Sequence, residues 1–376
     1  MKILLTGGGS GGHFYPIIAV AEAIHKLVRV EKLIAPELYF MSDLPRDEKL
    51  LYDNEIIFKK ISAGKIRRYF SLMNFTDLFK TFFGTLKAVV VVYSIYPDVV
   101  FGKGGYASFP ALLAARIFGI PVVIHESDSV PGKVNLWAGK FAAKVAVSYP
   151  EAARYFPADK VACVGNPIRE SIKSPATEDA RAYFDFVSDL PVILIIGGSQ
   201  GAELINDTVL GALPSLLQKY QIIHQTGKKQ FALAKEMVSV ALGEGGSLLA
   251  RYKVYEYLDD LPLKMAAGAA DVVVSRAGSA LFEFAAWGKP AIVIPITESN
   301  GNHQRENAYN FARKTGATVI EENNLSPNLF ESEISRLLAD PAKREALGKR
   351  AKEFAATDAA DKIARELINI AITHEV

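Results

Sequence analysis

Four glycine-rich segments carry most of the residues whose types and spacing suit them to bind a phosphate or a sugar. Each segment follows a short apolar run and precedes a helical pattern. Because glycine has no side chain, backbone N–H groups in such a turn, and at the helix N-terminus after it, can approach a polar ligand closely. A purely structural turn is the alternative. The four segments are residues 7–13, 102–108, 197–201 and 275–283.

The first segment formally contains the G-x-G-x-x-G pattern of dinucleotide-binding folds. His13 follows its last glycine directly, and Asp43, the next acidic residue at a strand end, lies further on than the roughly 20 residues expected for a ribose-binding carboxylate. These departures argue against a nicotinamide cofactor, and we expect no cofactor.

The third and fourth segments contain groups that suit a nucleoside diphosphate. Ser199 can donate a hydrogen bond to a phosphate, and the helix N-terminus after residue 275 offers further N–H groups. Glu283 lies about one turn into that helix, where its carboxylate could accept hydrogen bonds from both ribose hydroxyls. A carboxylate that only stabilises the helix N-terminus is the alternative. Together with Arg169, these groups could stabilise a departing diphosphate without a cation, and no spacing of His, Cys or Asp predicts a metal site.

The elements that must position these segments alternate between strands and helices, a pattern typical of parallel sheets covered by helices. The chain has 376 residues, half of them hydrophobic, and the pattern restarts near Val192, so two domains are expected. We predict an α/β fold of two Rossmann-like doubly wound domains, residues 1–166 and 167–357, facing a central ligand cleft. The predicted strands are residues 3–6, 37–41, 99–101, 122–125, 144–148, 192–196, 222–225, 272–275 and 291–295.

Composition limits the partners and the compartment. The formal net charge is only +2, so the overall balance does not call for a nucleic-acid partner. The single cysteine, Cys163, cannot form an internal disulfide, which fits a reducing compartment. The N-terminal apolar stretch is too short for a signal peptide, and the run at residues 88–95 is too short to span a membrane. We therefore expect a cytoplasmic protein.

The ordered set of motifs resembles the MurG family of N-acetylglucosaminyltransferases of bacterial cell-wall synthesis, from residue 6 to about residue 310. Any one motif is modest support, whereas the set in this order is specific. The motifs are Gly8-Gly9-Ser10-Gly11-Gly12-His13 with Pro16, Gly104-Gly105-Tyr106 with Ser108 and Pro110, His125-Glu126, Gly165-Asn166-Pro167-Ile168-Arg169, Gly197-Gly198-Ser199-Gln200-Gly201-Ala202, Ser275-Arg276-Ala277-Gly278, Glu283, and His303-Gln304 with Asn307-Ala308.

The resemblance implies a GT-B fold and transfer of N-acetylglucosamine from UDP-N-acetylglucosamine to the muramyl C4 hydroxyl of lipid I, which forms lipid II. It also implies that the C-terminal helix, about residues 358–376, packs back on the first domain. Residues implied at the sugar and acceptor side are Ser10, Gly11, Gly12, Asp128, Gly104, Gly105 and Tyr106. Residues implied to hold the donor are Arg169, Ser199, Gln200, Leu258 through its backbone at the uracil, Ala280, Leu281, Phe282, Glu283 and Gln304.

Inverting transfer in one step requires a single general base. His13, with a reference pKa of about 6.5, is the first candidate, and Asp128, where some relatives have Asn, is the second. Glu126 completes the set of catalytic candidates. A histidine that only hydrogen-bonds the acceptor or Glu126 is the alternative for His13.

Three other functions share these features. A diacylglycerol sugar transferase would have similar glycine loops, and a UDP-N-acetylglucosamine 2-epimerase would share the architecture but need no acceptor. A non-enzymatic nucleotide-sugar-binding module would release no UDP.

Residues 65–87 combine basic and aromatic side chains in a way typical of segments at a membrane surface. Helical spacing places Leu72, Phe75, Phe79 and Phe82 near one face. Because an undecaprenyl-linked acceptor stays in the bilayer, we expect peripheral binding to the anionic cytoplasmic face of the membrane. The alternative is an ordinary core stripe under a sheet. The segment contains Lys65, Arg67, Arg68, Lys80 and Lys87 among Tyr69, Phe70, Phe75, Phe79, Phe82 and Phe83.

Overall fold

The computed structural model describes residues 1–8, 10–64, 72–186, 189–198, 202–243, 247–297 and 302–374, with residues 72–76 and 78 described by their backbone only. The chain forms two compact units. The first contains Met1–Arg169 and Thr357–Val376, and the second contains Glu170–Ala356.

A parallel seven-stranded sheet forms the centre of the first unit, in the order β3-β2-β1-β4-β5-β6-β7. Its strands are β1 (Lys2–Thr6), β2 (Glu37–Ser42), β3 (Ile56–Lys60), β4 (Val99–Gly102), β5 (Val122–Glu126), β6 (Lys144–Val147) and β7 (Val161–Cys163). The order reverses direction at β1, so the loops after β1 and β4 leave the same edge side by side. Residues 7–13 and 102–108 are these loops.

In the described residues between these strands, the chain forms five helices and two short 3-10 segments. The helices are α1 (Gly11–Glu31), α2 (Glu48–Asp53), α3 (Leu72–Ile95), α4 (Phe109–Ile117) and α5 (Lys133–Ala138), and the 3-10 segments are Tyr106–Ser108 and Pro150–Tyr155.

The second unit repeats the design with a parallel six-stranded sheet in the order β10-β9-β8-β11-β12-β13. Its strands are β8 (Val192–Ile196), β9 (Gln221–Gln225), β10 (Tyr252–Tyr255), β11 (Val272–Ser275), β12 (Ala291–Val293) and β13 (Thr318–Val319). Its helices are α6 (Glu170–Lys173), α7 (Ala180–Tyr183), α8 (Glu203–Lys219), α9 (Phe231–Leu242), α10 (Asp260–Ala269), α11 (Ala280–Ala286), α12 (His303–Thr315), α13 (Pro327–Leu338) and α14 (Pro341–Phe354), with 3-10 segments at Leu249–Arg251 and Glu322–Asn324.

The last helix, α15 (Ala359–His374), packs against α1 in the first unit. Its apolar residues recur at helical spacing, and Ile363, Leu367 and Ala371 are buried in the same core cluster as Ile17 and Ile24 of α1. This spacing gives α15 an apolar face that must be covered. The contact buries one face of the first sheet, while α3 and α4 cover the other.

The predicted fold class, an α/β fold of two Rossmann-like doubly wound domains, is confirmed by the two sheets. Every predicted strand is present, with ends that differ by at most two residues. No helix among the described residues has both the length and the apolar character needed to cross a membrane.

Candidate active site

Two glycine loops of the first unit are joined directly. The N–H of Gly8 donates to the carbonyl of Gly104 over 3.1 Å, and the N–H of Lys103 donates to Thr6 over 2.8 Å. Gly105 has a φ of +82°, and a Cβ there would lie 3.1 Å from the Cα of Gly8. Only glycine combines that backbone conformation with so close an approach. The contact brings the predicted acceptor residues Gly104 and Gly105 against the first loop.

Ser10 and His13 form a pair at the start of α1. Ser10 precedes the helix, and its Oγ lies 2.9 Å from Nδ1 of His13. The backbone N–H of His13 donates to the carbonyl of Ser10 over 3.1 Å. Gly11 and Gly12 form the first turn between them. A Cβ on Gly11 would meet the Tyr15 ring at 3.0 Å, so this turn requires a small residue.

Tyr106 connects the second loop to the end of β2. Its hydroxyl donates to Oδ2 of Asp43 over 2.6 Å. Burial and this hydrogen bond raise the pKa of Tyr106 above its ordinary value. From the sequence, Asp43 was considered as a ribose-binding carboxylate and rejected on its spacing. In the structure it accepts the hydrogen bond that anchors Tyr106.

Glu126, at the end of β5, is buried and holds the loop that follows it. One carboxylate oxygen accepts the N–H of Asp128 over 2.9 Å. The other accepts the N–H of Gly132 at 3.0 Å and the Asn135 amide at 2.9 Å. Burial, and then the nearby charge of Asp128, raise the pKa of Glu126. Asp128 itself is half-buried, so Glu126 organises the loop on which the more accessible Asp128 lies.

Arg169 ends the first of the two chain segments of the first unit and is only 4% exposed. Its guanidinium carbon lies 4.2 Å from the centre of the Tyr15 ring, a cation–π geometry. Tyr15 belongs to α1, so Arg169 packs on the helix that carries His13.

Gln225, at the end of β9, joins two loops of the second unit. Its side-chain oxygen accepts the N–H of Leu258 over 2.9 Å, and its side-chain nitrogen lies 3.5 Å from the carbonyl of Gly198. The Leu258 N–H is therefore already engaged. Ser199 and Gln200 lie outside the described residues.

The first turn of α11 contains the candidates Ala280, Leu281, Phe282 and Glu283. The side chains of Leu281 and Phe282 are buried, and the Phe282 ring stacks on Phe354 with 5.2 Å between centres. These two residues can therefore meet a ligand only through their backbone. Ala280 and Glu283 are half-buried.

The loops after β11 and β12 are fastened to each other and to α12. The Gln304 side chain accepts the N–H of Ile296 over 3.2 Å, and Asn307 donates to the carbonyl of Ala277 over 3.1 Å. Arg276 donates to Glu322 over 2.6 Å. These contacts place Gln304 beside the loop that leads to Glu283.

The structure thus groups the candidates at the strand ends of each unit. In the first unit it joins Ser10 to His13 and Glu126 to Asp128, and in the second it fixes Leu258 and Gln304. Sequence reasoning missed Asp43, Asn135 and Gln225. Asp43 and Gln225 each stand at the end of a predicted strand, and this position could have marked them as candidates for the site. Among the described residues, no three His, Cys, Asp or Glu side chains form a group that could hold a metal ion.

Comparison with known proteins extends over both units. The glycosyltransferase family 28 N-terminal domain matches residues 3–147, and the family 28 C-terminal domain matches residues 192–363. A Clostridium kluyveri protein named UDP-N-acetylglucosamine–N-acetylmuramyl-(pentapeptide) pyrophosphoryl-undecaprenol N-acetylglucosamine transferase is 36% identical over 365 residues, which cover 96% of this chain and 97% of the relative. The chain belongs to the MurG family. A Limosilactobacillus reuteri protein of the same name is 33% identical over the full length of both chains.

Solved structures agree on the fold. Acinetobacter baumannii MurG aligns with a TM-score of 0.70 at 24% identity, covering 98% of this chain and 99% of that one. A putative UDP-N-acetylglucosamine 2-epimerase from Listeria monocytogenes also gives 0.70 at 14% identity, covering 96% and 94%. MurG proteins and these epimerases therefore share one architecture, and the sequence relatives assign the chain to MurG. The predicted family is confirmed, and the chain is a glycosyltransferase.

Proposed function

We propose that this chain transfers N-acetylglucosamine from UDP-N-acetylglucosamine to the muramyl C4 hydroxyl of the undecaprenyl-linked acceptor lipid I, forming lipid II for peptidoglycan. The observation that carries the proposal is the 36% identity to a transferase of that name over 96% of the chain. The glycines of the described loop residues, such as Gly8, Gly104 and Gly105, support it, because glycine lets backbone groups approach a polar sugar ligand closely.

Most residues of the donor site in this proposal belong to the second unit. Glu283 accepts hydrogen bonds from the ribose hydroxyls, and Gln304 and the backbone of Ala280 to Phe282 contact the nucleotide sugar. The backbone of Leu258 lies at the uracil, held in place by the hydrogen bond from its N–H to Gln225. Ser199 and Gln200 bind the diphosphate, with Arg169 as a further positive charge. Fixed donors of this kind stabilise the charge on the departing UDP.

The first unit supplies the acceptor site and the base. The acceptor hydroxyl loses its proton to His13, or to Asp128, as its oxygen attacks the anomeric carbon and the bond to the diphosphate breaks. Configuration at that carbon inverts. His13 is favoured because Ser10 holds its ring through Nδ1, and a hydrogen-bonded neighbour that orients the imidazole is typical of a general base. Gly104, Gly105 and Tyr106 contact the acceptor, and Glu126 holds the Asp128 loop.

The apolar face of α3 is the surface that reaches the membrane in this proposal. Exposed apolar side chains recur along one face of α3, while Ala88 and Val92 on the opposite face are buried. The alternative in which Phe79 and Phe82 form core is wrong, since their exposures are 48% and 58%. Residues 65–71 and the side chains of Leu72 and Phe75 lie outside the described part of the segment. The exposed side chains are Phe79, Phe82, Phe83, Leu86, Val90 and Tyr93.

This apolar face is long enough to lie along a bilayer surface. Phe79 and Tyr93 are 14 positions apart, or about 21 Å along a helix. Lys80 and Lys87 are exposed beside it, and each basic residue near an anionic surface contributes about 1 kcal/mol. The enzyme then works as a peripheral protein at the cytoplasmic membrane face, where the lipid-linked acceptor lies.

Acceptor-dependent release of UDP tests the function. UDP should appear when UDP-N-acetylglucosamine is mixed with a lipid I analogue, and should not appear with diacylglycerol or without an acceptor. Excess EDTA should leave the rate unchanged. UDP release with diacylglycerol would indicate a lipid sugar transferase, and isomerisation of the donor without acceptor would indicate an epimerase. Donor binding without turnover under any condition would indicate a binding module.

A further inference from the structure

Lys103 is a buried lysine in the second glycine loop. It follows β4 and is 1% exposed. It packs against the first glycine loop, since a Cβ built on Gly7 would lie 3.3 Å from the Cβ of Lys103. Within the described part of the chain its ammonium nitrogen makes no hydrogen bond. An ammonium has three donors and is costly to bury, so the surrounding charges must account for its presence.

The negative charges that act on Lys103 come from the end of β5. Burial lowers the pKa of Lys103 to about 8. The negative charges of Glu126 and, to a smaller extent, Asp128 raise this pKa and so partly offset the effect of burial. Gly102 pairs with Ile124, so the residue after it runs beside His125 and the two acidic residues that follow. Lys103 is therefore a buried cation on which these two carboxylates act.

Three other titratable side chains lie around this cluster: His125, His13 and Tyr149. His125 is fully buried, and its pKa is lowered by burial and then by Lys103, so it carries no compensating charge. His13 packs against Gly7, as Lys103 does: a Cβ built on Gly7 would lie 3.6 Å from the Cβ of His13. Tyr149, after β6, is buried near Asp128 and has a raised pKa. The balance of charge is set by one lysine and two carboxylates.

Glu126 is the carboxylate whose ionisation has a structural consequence. Its two oxygens accept three hydrogen bonds, from Asp128, Gly132 and Asn135. An ionised carboxylate accepts all three, whereas a protonated one must give up an acceptor site to its own hydrogen. The loop between Asp128 and Gly132 is thus held best while Glu126 is charged.

We propose that Lys103 is a positioning residue: its buried ammonium balances the charge of Glu126, whose carboxylate holds in place the loop that carries Asp128. The catalytic part of this inference rests on the proposed function, whereas the electrostatic part does not.

Lys103→Met tests the charge with little change of volume. Without the cation, the pKa of Glu126 rises further. A carboxyl with a raised pKa in the folded state stabilises the fold at low pH and loses that contribution as pH rises through the folded value. The thermal midpoint of Lys103→Met should therefore fall, relative to the native chain, as pH is raised from about 5 to about 8.

In the UDP-release assay the acidic limb of kcat should move up by about one pH unit, with the donor KM unchanged.

The charge-balanced double variant separates this account from loss of packing. Lys103→Met combined with Glu126→Gln should show no extra fall in thermal midpoint with rising pH. If the double variant behaves like Lys103→Met, or neither folds, charge balance is not the role of Lys103. A higher acceptor KM with an unchanged pH dependence of stability would make Lys103 a substrate-binding residue and overturn the proposal. Because the thermal measurement needs no substrate, failure of every acceptor would contradict only the proposed function.

Discussion

The hydroxyl of Ser10 lies 2.9 Å from Nδ1 of His13, three residues further on in the first turn of α1. If Nδ1 carries the proton and donates to Ser10, Nε2 has the lone pair that can accept a proton. In that tautomer Ser10 orients the ring of His13 as a general base.

His13→Ala should lower kcat by roughly 10²–10⁴-fold, the usual effect of removing a general base. Donor affinity should change little, because a general base acts on the acceptor hydroxyl. Ser10→Ala should cost about 1 kcal/mol, or roughly fivefold in kcat, for one lost hydrogen bond. Asp128→Asn should be mild by comparison. Steady-state kinetics of UDP release checks all three, and a severe Asp128→Asn with a mild His13→Ala would assign the base to Asp128.

Glu283→Ala should weaken binding of UDP-N-acetylglucosamine by about 1–3 kcal/mol, the scale of hydrogen bonds to a charged group. The half-buried Glu283 lies in the first turn of α11, and its removal leaves the ribose hydroxyls without their acceptor. Isothermal titration calorimetry measures the change. Glu345→Ala, on the exposed surface of α14, is the matched control. Equal affinities for the two variants would reduce Glu283 to a helix-end charge.

His224 should make the stability of the second unit depend on pH. It is fully buried between the Tyr252 hydroxyl and Asn206, at 2.9 Å and 3.0 Å. Burial lowers its pKa to about 3, whereas in the unfolded chain the value is about 6.5. For this depressed pKa, the contribution to stability is complete above pH 6.5 and is lost as pH falls toward 3, by up to about 1.4 kcal/mol per pH unit.

Thermal unfolding at about pH 7.5 and about pH 5 measures this dependence. The native chain should lose more stability on acidification than His224→Gln, whose amide does not titrate. His374→Gln, at the exposed end of α15, should follow the native chain. Identical losses in the native chain and His224→Gln would show that other groups account for the acid sensitivity.

Sequence reasoning found the interior of each sheet and missed edge strands. Four strands are absent from the predicted strands, and all four lie at sheet edges: Ile56–Lys60, Val161–Cys163, Tyr252–Tyr255 and Thr318–Val319. An interior parallel strand is covered on both faces and is apolar throughout, as in Val192–Ile196, which is wholly buried. An edge strand is partly exposed and carries residues such as Lys59 and Lys253, so its apolar run is interrupted.

The candidate site was predictable in its backbone and less so in its side-chain partners. Glycines reveal where a chain must turn or approach closely, as at Gly105. They do not reveal that Tyr106 donates to Asp43, or that Gln225 bonds Leu258, because those partners are 63 and 33 residues apart. Such pairs depend on strand order, which local patterns do not specify. Burial of Lys103 beside Glu126 was hidden for the same reason.

The exposed face of α3 leads to the last prediction, binding to anionic vesicles. Phe79, Phe82 and Phe83 are 48%, 58% and 63% exposed, so a bilayer surface can remove apolar area from water at about 25 cal/mol per Å². The neighbouring lysines add an electrostatic attraction that salt screens.

Sedimentation with anionic liposomes should show binding that weakens as salt is raised. Phe79→Ser combined with Phe82→Ser should reduce it without lowering the thermal midpoint, since neither side chain is in the core. Tyr52→Ser removes an aromatic residue that is 84% exposed on α2 and should leave vesicle binding unchanged. Native protein that fails to sediment with anionic liposomes, or a double variant that sediments as well as Tyr52→Ser, would place the membrane contact elsewhere than on α3.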